Sequence, residues 1–227
     1  MNQLRVILLA FLSPGQAFAR ILAKPRVIIA LLLLWISAIA AHAVLCHKFD
    51  KEAMVRATAV ELAEEEGGKE PPESDVQKEA VRRLNMKRIF GYVAIFMMIP
   101  LFAMGLAILF WFLCRFSKNK QGFKKCYSVA AHVWLPTAIR SGLALIVFLD
   151  YPSIDPLAAQ GLFRTNLGDL LGRSSVIPGL FLVDPFLIWM GVLFGVAGRV
   201  AGWGWLKVIC GGVGAWLVVG FSSRLLF

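Results

Sequence analysis

The sequence predicts an all-α polytopic membrane protein, a bundle of five transmembrane helices preceded by an N-terminal amphipathic interfacial helix. Of its 227 residues, 59% are hydrophobic and only 17% are charged, and the mean hydropathy is +0.72. A soluble fold of this size could not cover its core with so few polar side chains. The apolar residues also form runs long enough to cross a bilayer, which takes about 20 helical residues.

Five such runs define the predicted spans. They comprise residues 27–45, 89–114, 126–149, 180–197 and 205–226. The second run contains no charged residue, whereas His132 and Arg140 interrupt the third and Asp184 interrupts the fourth. The fifth carries Lys207 and Arg224 near its ends, where long basic side chains can reach the interface.

The distribution of charge predicts the orientation, because basic residues in short loops are retained in the cytoplasm. With the N-terminus inside, the inner segments hold eleven basic residues and no acid, and all fourteen acids lie elsewhere. The eleven are Arg5, Arg20, Lys24, Arg26, Arg115, Lys118, Lys120, Lys124, Lys125, Arg199 and Lys207. We therefore expect a cytoplasmic N-terminus, an extracytoplasmic C-terminus and attraction of anionic lipid to the cytoplasmic face. Nucleic-acid binding is not expected, because these residues flank spans and lack a soluble platform.

Residues 1–26 form the predicted cytoplasmic segment. Arg5, the run 6–12 and the triplet 17–19 imitate a secretory signal peptide, but the apolar run is short, so we expect no cleavage. Ser13 followed by Pro14 predicts a helix start, with the hydroxyl as cap and Pro14 at the first position. Its apolar residues Ala17, Phe18, Ile21 and Leu22 fall at helical spacing. This pattern predicts an amphipathic helix on the inner leaflet, ending near Pro25.

Residues 48–88 form a charged extracytoplasmic segment, for which the sequence predicts two helices. Residues 49–66 should continue the first span outward. Ser74 with Gln77 has the spacing of a capping box, which predicts the start of a helix that runs into the second span.

Three stretches are similar to a known family: "SPGQAFARILAKPRVII" at the start, "YSVAAHVWLPTAIRSGL" with Pro136 in the third span, and "VDPFLIWMGVLFGVAGRVAGWGWLKV" across the last two. In them the chain resembles the YIP1 family of small polytopic membrane proteins, in its bacterial branch. The resemblance implies a five-helix domain over residues 27–227, placement in the bacterial inner membrane and no known catalytic residue set. Eukaryotic relatives are linked to vesicle traffic and small GTPases, a role that a bacterial protein could not share directly.

Asp184, Arg140 and His132 form the candidate intramembrane polar site, because polar residues are costly in hydrocarbon and should face the bundle interior. Asp184 and Arg140 lie at matched depth on antiparallel spans, so they could hold an ion, a proton or a polar head group, or form a buried structural pair. Asp184 could also simply cap the fourth helix before Pro185. His132 lies one turn before Pro136, where it could line a path or a kink filled by a neighbouring helix.

The sequence predicts no cofactor, no metal and no enzyme activity. His42, Cys46 and Asp50 are spaced by four residues, but no second ligand cluster supports a metal site there. The four cysteines form no C-x-x-C pair, and no intramolecular disulfide is expected. Nucleotide-binding and hydrolase motifs are also missing from the sequence.

The glycines of the last two spans predict close helix contact. Gly191 and Gly195, and then Gly198 and Gly202, are each four residues apart, and small residues let backbones approach. The contact could lie within the bundle or across a dimer, so a homo-oligomer is one possible outcome.

Three function classes remain, in this order: a membrane scaffold or assembly and trafficking factor, a small transporter or channel for an ion or polar solute that uses Asp184 and Arg140, and a lipid-perturbing or lipid-moving protein. The family resemblance and the scarcity of buried polar residues favour the first. The sequence names neither a substrate nor a protein partner.

Overall fold

A computed structural model describes residues 3–65, 71–117, 120–155 and 184–226, with backbone alone at 220–226. In these ranges the regular secondary structure is helical, so the all-α prediction is confirmed. The helices are α1 Gln3–Leu12, α2 Pro14–Ala23, α3 Ile28–His47, α4 Lys51–Glu65, α5 Glu73–Arg115, α6 Phe123–Val133, α7 Leu135–Asp150, α8 Pro185–Val200 and α9 Trp205–Leu226.

Among the described residues, three helical segments are long and apolar enough to cross a membrane. They are Ile28–His47, Glu73–Arg115 and Phe123–Asp150, the last of which comprises α6 and α7. The helices Gln3–Leu12 and Pro185–Val200 and the stretch Trp205–Val219 of α9 are apolar but shorter. The chain therefore has the helices of a membrane protein, whereas the count of five spans stays a prediction.

The chain divides into two compact units. The first comprises Met1–Ser37, Met97–Arg140 and Arg164–Phe227, and the second comprises Ala38–Phe96 and Ser141–Phe163. Each has its own apolar clusters among the described residues.

Aromatic side chains fill the core of the first unit. Phe18, Phe110, Phe194 and Trp203 are all fully buried. The ring centroids of Phe110 and Trp203 are 4.8 Å apart, and the Phe194 ring meets Phe110 edge to face at 5.2 Å. Such offset and T-shaped contacts are the favourable geometries for aromatic pairs. They join α5 and α8 to the turn that follows α8, and Phe18 of α2 belongs to the same apolar cluster.

The N-terminal segment contains two helices rather than one. Pro14 occupies the first position of α2 as predicted, but the Ser13 side chain makes no capping hydrogen bond, so that part of the prediction is wrong. The reason is that α1 extends to this point, and the Ser13 N–H donates to the carbonyl of Leu9 over 2.7 Å. The predicted apolar face of α2 is buried, and α2 packs against α6 and α8. Protein contacts thus account for the amphipathic pattern, and placement of α2 on a membrane surface stays a prediction.

The third predicted span is interrupted. Helix α6 ends at Val133 and α7 begins at Leu135, with Trp134 as the turn between them. Pro136 follows at once, and both the N–H and the hydroxyl of Thr137 donate to the Trp134 carbonyl, at 2.9 and 2.7 Å. Because proline has no N–H, a helix start is one of the few helical positions that accept it without losing a hydrogen bond.

In the second unit, the expected continuation of the first span is wrong. Helix α3 ends at His47, and residues 48–50 pair with Ile154: the Asp50 N–H donates to the Ile154 carbonyl, and the Ile154 N–H donates to that of Lys48. The Asp50 carboxylate then accepts from the N–H groups of Glu52 and Ala53, at 2.9 and 3.1 Å. These bonds cap the new helix α4.

The predicted capping box is also wrong. Helix α5 begins at Glu73, so Ser74 lies inside its first turn, and the Ser74 hydroxyl donates to Asp75. The Gln77 amide donates to Glu73, and the Pro72 carbonyl accepts from the Asp75 N–H. The helix starts earlier than predicted, where the Pro72 carbonyl accepts from its first turn and the charge of Glu73 lies at the positive end of the helix dipole.

Helices α4 and α5 pack through Met54, Ala80 and Leu84, which are all buried. Arg83 of α5 forms ion pairs with Glu61 of α4 and Glu79 of its own helix. The charged segment is thus a helical hairpin with an apolar seam and an ion-pair network at its edge.

Candidate functional site

His132 is buried near the end of α6, with only 5% of its surface exposed. Its Nδ1 lies 2.7 Å from the Ser128 carbonyl oxygen one turn earlier. Since a carbonyl can only accept, Nδ1 carries the proton, and Nε2 is left as an acceptor in the neutral ring. The hydroxyl of the same Ser128 donates to the Arg26 carbonyl and accepts from the Arg26 N–H, at 3.0 and 3.1 Å. One turn of α6 therefore fixes both the imidazole and the chain that enters α3.

Asp184 is also buried, and it is the N-cap of α8. Its Oδ1 accepts from the N–H groups of Phe186 and Leu187, at 2.8 and 3.4 Å, and Pro185 occupies the first helical position. The capping role that the sequence left open is therefore present. The carboxylate charge also lies at the positive end of the helix dipole.

Arg140 is partly buried on α7. Its pairing with Asp184 stays a prediction, and so does a joint site of Arg140, Asp184 and His132. Asp184 Oδ1 accepts from backbone N–H groups of α8, and His132 Nδ1 donates to a backbone carbonyl of α6.

Sequence reasoning missed a basic cavity in the first unit. The cavity has room of about 30 Å³ between α1, α2, α6 and the chain entering α3. Its lining residues are Gln3, Val6, Ile7, Arg20, Ile21, Lys24, Arg26, Ile29 and His132. The available signal was the spacing of Arg20 and Lys24, four residues apart on one helix face, in a segment without acids.

The glycines predicted to mediate helix packing face a helix of the same chain. A Cβ atom at Gly191 would lie 2.9 Å from the Gly212 carbonyl oxygen of α9, and one at Gly195 would lie 3.2 Å from that of Val208. Contacts this short leave no room for a side chain. The close approach of α8 and α9 therefore depends on these glycines, and the same faces are not available to a second copy.

Gly198 and Gly202 have different roles from the first pair. A Cβ at Gly198 would overlap the indole of the fully buried Trp203. Gly202 lies beyond the end of α8 and has a φ of 89°, a left-handed conformation that favours glycine. The Trp203 N–H donates to the Gly198 carbonyl and the Gly202 N–H to that of Arg199, which together form a Schellman motif. The prediction that Gly202 continues a helix-packing face is wrong, because the helix has already ended.

His42 and Cys46 lie on α3 in the second unit, with the Cys46 sulfur 3.3 Å from His42 Nε2. Arg88 donates to the Cys46 carbonyl over 3.1 Å, and Asp50 is used as the cap of α4. Within the described ranges, no three His, Cys, Asp or Glu side chains are grouped so that they could hold a metal ion.

The arrangement of apolar helices and buried polar caps can be compared with known families. The Yip1 domain matches residues 8–223, which is nearly the whole chain. The chain belongs to the Yip1 family. The resemblance seen in the sequence is thereby confirmed. No curated protein and no solved structure matches the chain.

The chain is a Yip1-domain protein, and the part that the structure describes contains three helices able to span a bilayer, so it is a membrane protein of the Yip1 type. The basic cavity, the α8 cap and the glycine contacts all lie inside the matched range or at its edge, since only Gln3, Val6 and Ile7 of the cavity lining precede residue 8.

Proposed function

We propose that this Yip1-domain protein is a non-enzymatic membrane scaffold or assembly and trafficking factor. The strongest support is that the buried polar side chains of Asp184 and His132 stabilise helices of the protein itself. Asp184 caps α8 and His132 bonds within α6, so each stabilises a helix end or turn. The same unit has a core of closely packed aromatic rings. Such an interior is suited to holding a shape that other membrane proteins contact.

The proposed setting is the bacterial inner membrane, with five spans, α2 at the cytoplasmic surface and the N-terminus inside. The support is the charge partition, eleven basic residues and no acid on one side. Single cysteines at the exposed Glu65 and Lys124, in a Cys210→Ser background, should react from opposite sides of sealed vesicles. Labelling of both from the same side would contradict the five-span topology.

A scaffold should offer lipid-facing side chains to a partner helix. Leu101, Ile108 and Phe112 of α5 are each about half exposed, at 51%, 51% and 54%. A photo-crosslinker at Ile108 in cells should give discrete protein adducts, while one at the fully buried Phe110 should give none. Lipid adducts alone at position 108 would argue against the scaffold.

The alternative of a small transporter or channel for an ion or polar solute is favoured by the helix break at Trp134, next to the buried His132. Proteoliposomes decide between the two proposals. A scaffold should show no proton, sodium or potassium flux above that of empty vesicles. A flux that Asp184→Asn or Arg140→Leu abolishes would replace the scaffold proposal.

A homo-oligomer remains part of the proposal, but Gly191 and Gly195 no longer support it because they contact α9 of their own chain. Native mass spectrometry in nanodiscs should detect a dimer through another surface. A strictly monomeric mass would remove this part.

A further inference from the structure

Arg20 stands out because part of its guanidinium is enclosed without a partner. Its Nη1 is buried and forms no hydrogen bond with the described residues. A buried donor on a charged group is costly unless an acceptor reaches it. Arg20 also lines the basic cavity, so an acceptor can approach it there.

The surroundings of Arg20 add positive charge. Lys24 and Arg26 line the same cavity and are exposed, and His132 closes one side. Among the described residues of this unit the only carboxylate is Asp184, which caps α8. The reciprocal hydrogen bonds between Ser128 and the Arg26 backbone fix the chain at the cavity wall. The cavity lining is therefore cationic, and none of the residues that form it is a carboxylate.

The size of the cavity limits what that anion can be. Its room of about 30 Å³ equals roughly two water molecules. A group such as one phosphate can insert its oxygens, while a nucleotide or sugar phosphate would have to remain outside.

The apolar surface beside the cavity indicates where the rest of the ligand lies. Leu4 of α1, next to the lining residue Gln3, is 52% exposed. Ile28, next to the lining residue Ile29, is 72% exposed. A phosphate bound here would sit beside surface that acyl chains can cover.

We propose that the cavity lined by Arg20, Lys24, Arg26 and His132 binds the phosphate of an anionic glycerophospholipid, whose head group has no compensating positive charge, through the three basic side chains. The planar Arg20 guanidinium can donate two parallel N–H bonds to the phosphate oxygens. The ammonium of Lys24 adds a second positive charge on a flexible side chain. This inference is independent of the scaffold proposal and would hold equally for a transporter.

Native mass spectrometry of the full chain tests the proposal. The protein is released from nanodiscs containing equal amounts of phosphatidylglycerol and phosphatidylcholine with the same acyl chains, and retained lipid is counted. We expect the wild type to retain phosphatidylglycerol preferentially, and Arg20→Gln and Lys24→Gln each to lower its apparent affinity about tenfold, the equivalent of about 1.4 kcal/mol. The exposed side chain of Lys24 keeps the test usable if Arg20→Gln does not fold.

The matched control is Arg5→Gln, which removes the same charge from an exposed position on α1 outside the cavity lining. Its affinity should stay within twofold of the wild type. An equal loss in this control would mean general surface attraction and would overturn the site. Inorganic phosphate at millimolar concentration is the second arm: if it displaces phosphatidylglycerol completely, or binds when the lipid does not, the source is free phosphate and the lipid assignment falls. Equal retention of both lipids would also overturn it.

Discussion

Gly198→Ala should destabilise the protein although alanine favours helices. The added Cβ would lie 2.5 Å from Cδ2 and Cζ3 of Trp203 and would overlap a third ring atom. Carbon atoms normally approach to about 3.5–4.0 Å. The indole must therefore move by about 1 Å or more, and it is fully buried between Phe110 and Phe194.

The magnitude follows from three contributions. Overpacking of a filled core costs about 1–3 kcal/mol. Displacing the ring also weakens the hydrogen bond from Trp203 Nε1 to the Cys114 sulfur, now 3.4 Å, which contributes about 0.5–1.5 kcal/mol. The gain from replacing glycine in a helix is about 0.5–1 kcal/mol. We expect a net loss of about 1–3 kcal/mol in the free energy of unfolding.

Thermal unfolding in detergent measures this loss. A change of 1 kcal/mol shifts the midpoint by about 2–4 °C in a chain of this size, so Gly198→Ala should unfold about 3–10 °C below the wild type. Gly214→Ala is the control, since a Cβ there meets nothing within 4 Å and α9 should be unchanged or slightly more stable. A Gly198→Ala midpoint equal to or above that of Gly214→Ala would refute the packing argument around Trp203.

Three other substitutions test separate contacts. If Arg140 and Asp184 are partners, the double variant Arg140→Leu/Asp184→Asn should lose less thermal stability than the sum of the two single losses, with a coupling above about 0.5 kcal/mol; additive losses would mean that they are not a pair. Gly91→Ala should lower the free energy of unfolding by about 1–3 kcal/mol, because its Cβ would overlap the imidazole of His42. Gly142→Ala is the control, since a Cβ there meets nothing within 4 Å, and equal unfolding midpoints for the two variants would contradict this reasoning. Ser128→Ala removes both hydrogen bonds to the chain entering α3 and should cost about 1–3 kcal/mol by the same assay, and an unchanged midpoint would show that water replaces the hydroxyl.

The helices themselves could be predicted from the sequence, because long apolar runs in this composition have no other stable form. Their interruptions could not. The end of α3 at His47 depends on pairing with Ile154, more than 100 residues away in the chain. No local pattern reports such a contact. Similarly, serine is a common helix cap, but the hydroxyl of Ser13 does not cap α2. The backbone N–H of Ser13 instead donates to Leu9 at the end of α1.

The candidate site illustrates the same limit. The spacing of Gly191 and Gly195 predicts a close approach but not its partner, which turns out to be α9 of the same chain. Gly202 has the same spacing but forms the left-handed turn after α8. Both a left-handed turn and a close helix contact favour glycine, so the spacing alone does not distinguish them. The apolar face of α2 likewise predicts burial without stating whether protein or lipid provides it. Arg20 and His132 are distant in sequence, so only the packing of α2 against α6 brings them to one cavity.

The short Schellman turn between α8 and α9 bears on how the protein is made. Only residues 201–204 separate the two helices, and the contacts of Gly191 with Gly212 and of Gly195 with Val208 are local in sequence. Pairing over such short separations costs little chain entropy and is fast. The two helices can therefore associate as one hairpin during insertion, before distant segments arrive. The hairpin then already holds the Trp203 indole in place. Packing of this indole against Phe110 of α5 is the step that joins α8 and α9 to the helices synthesised before them.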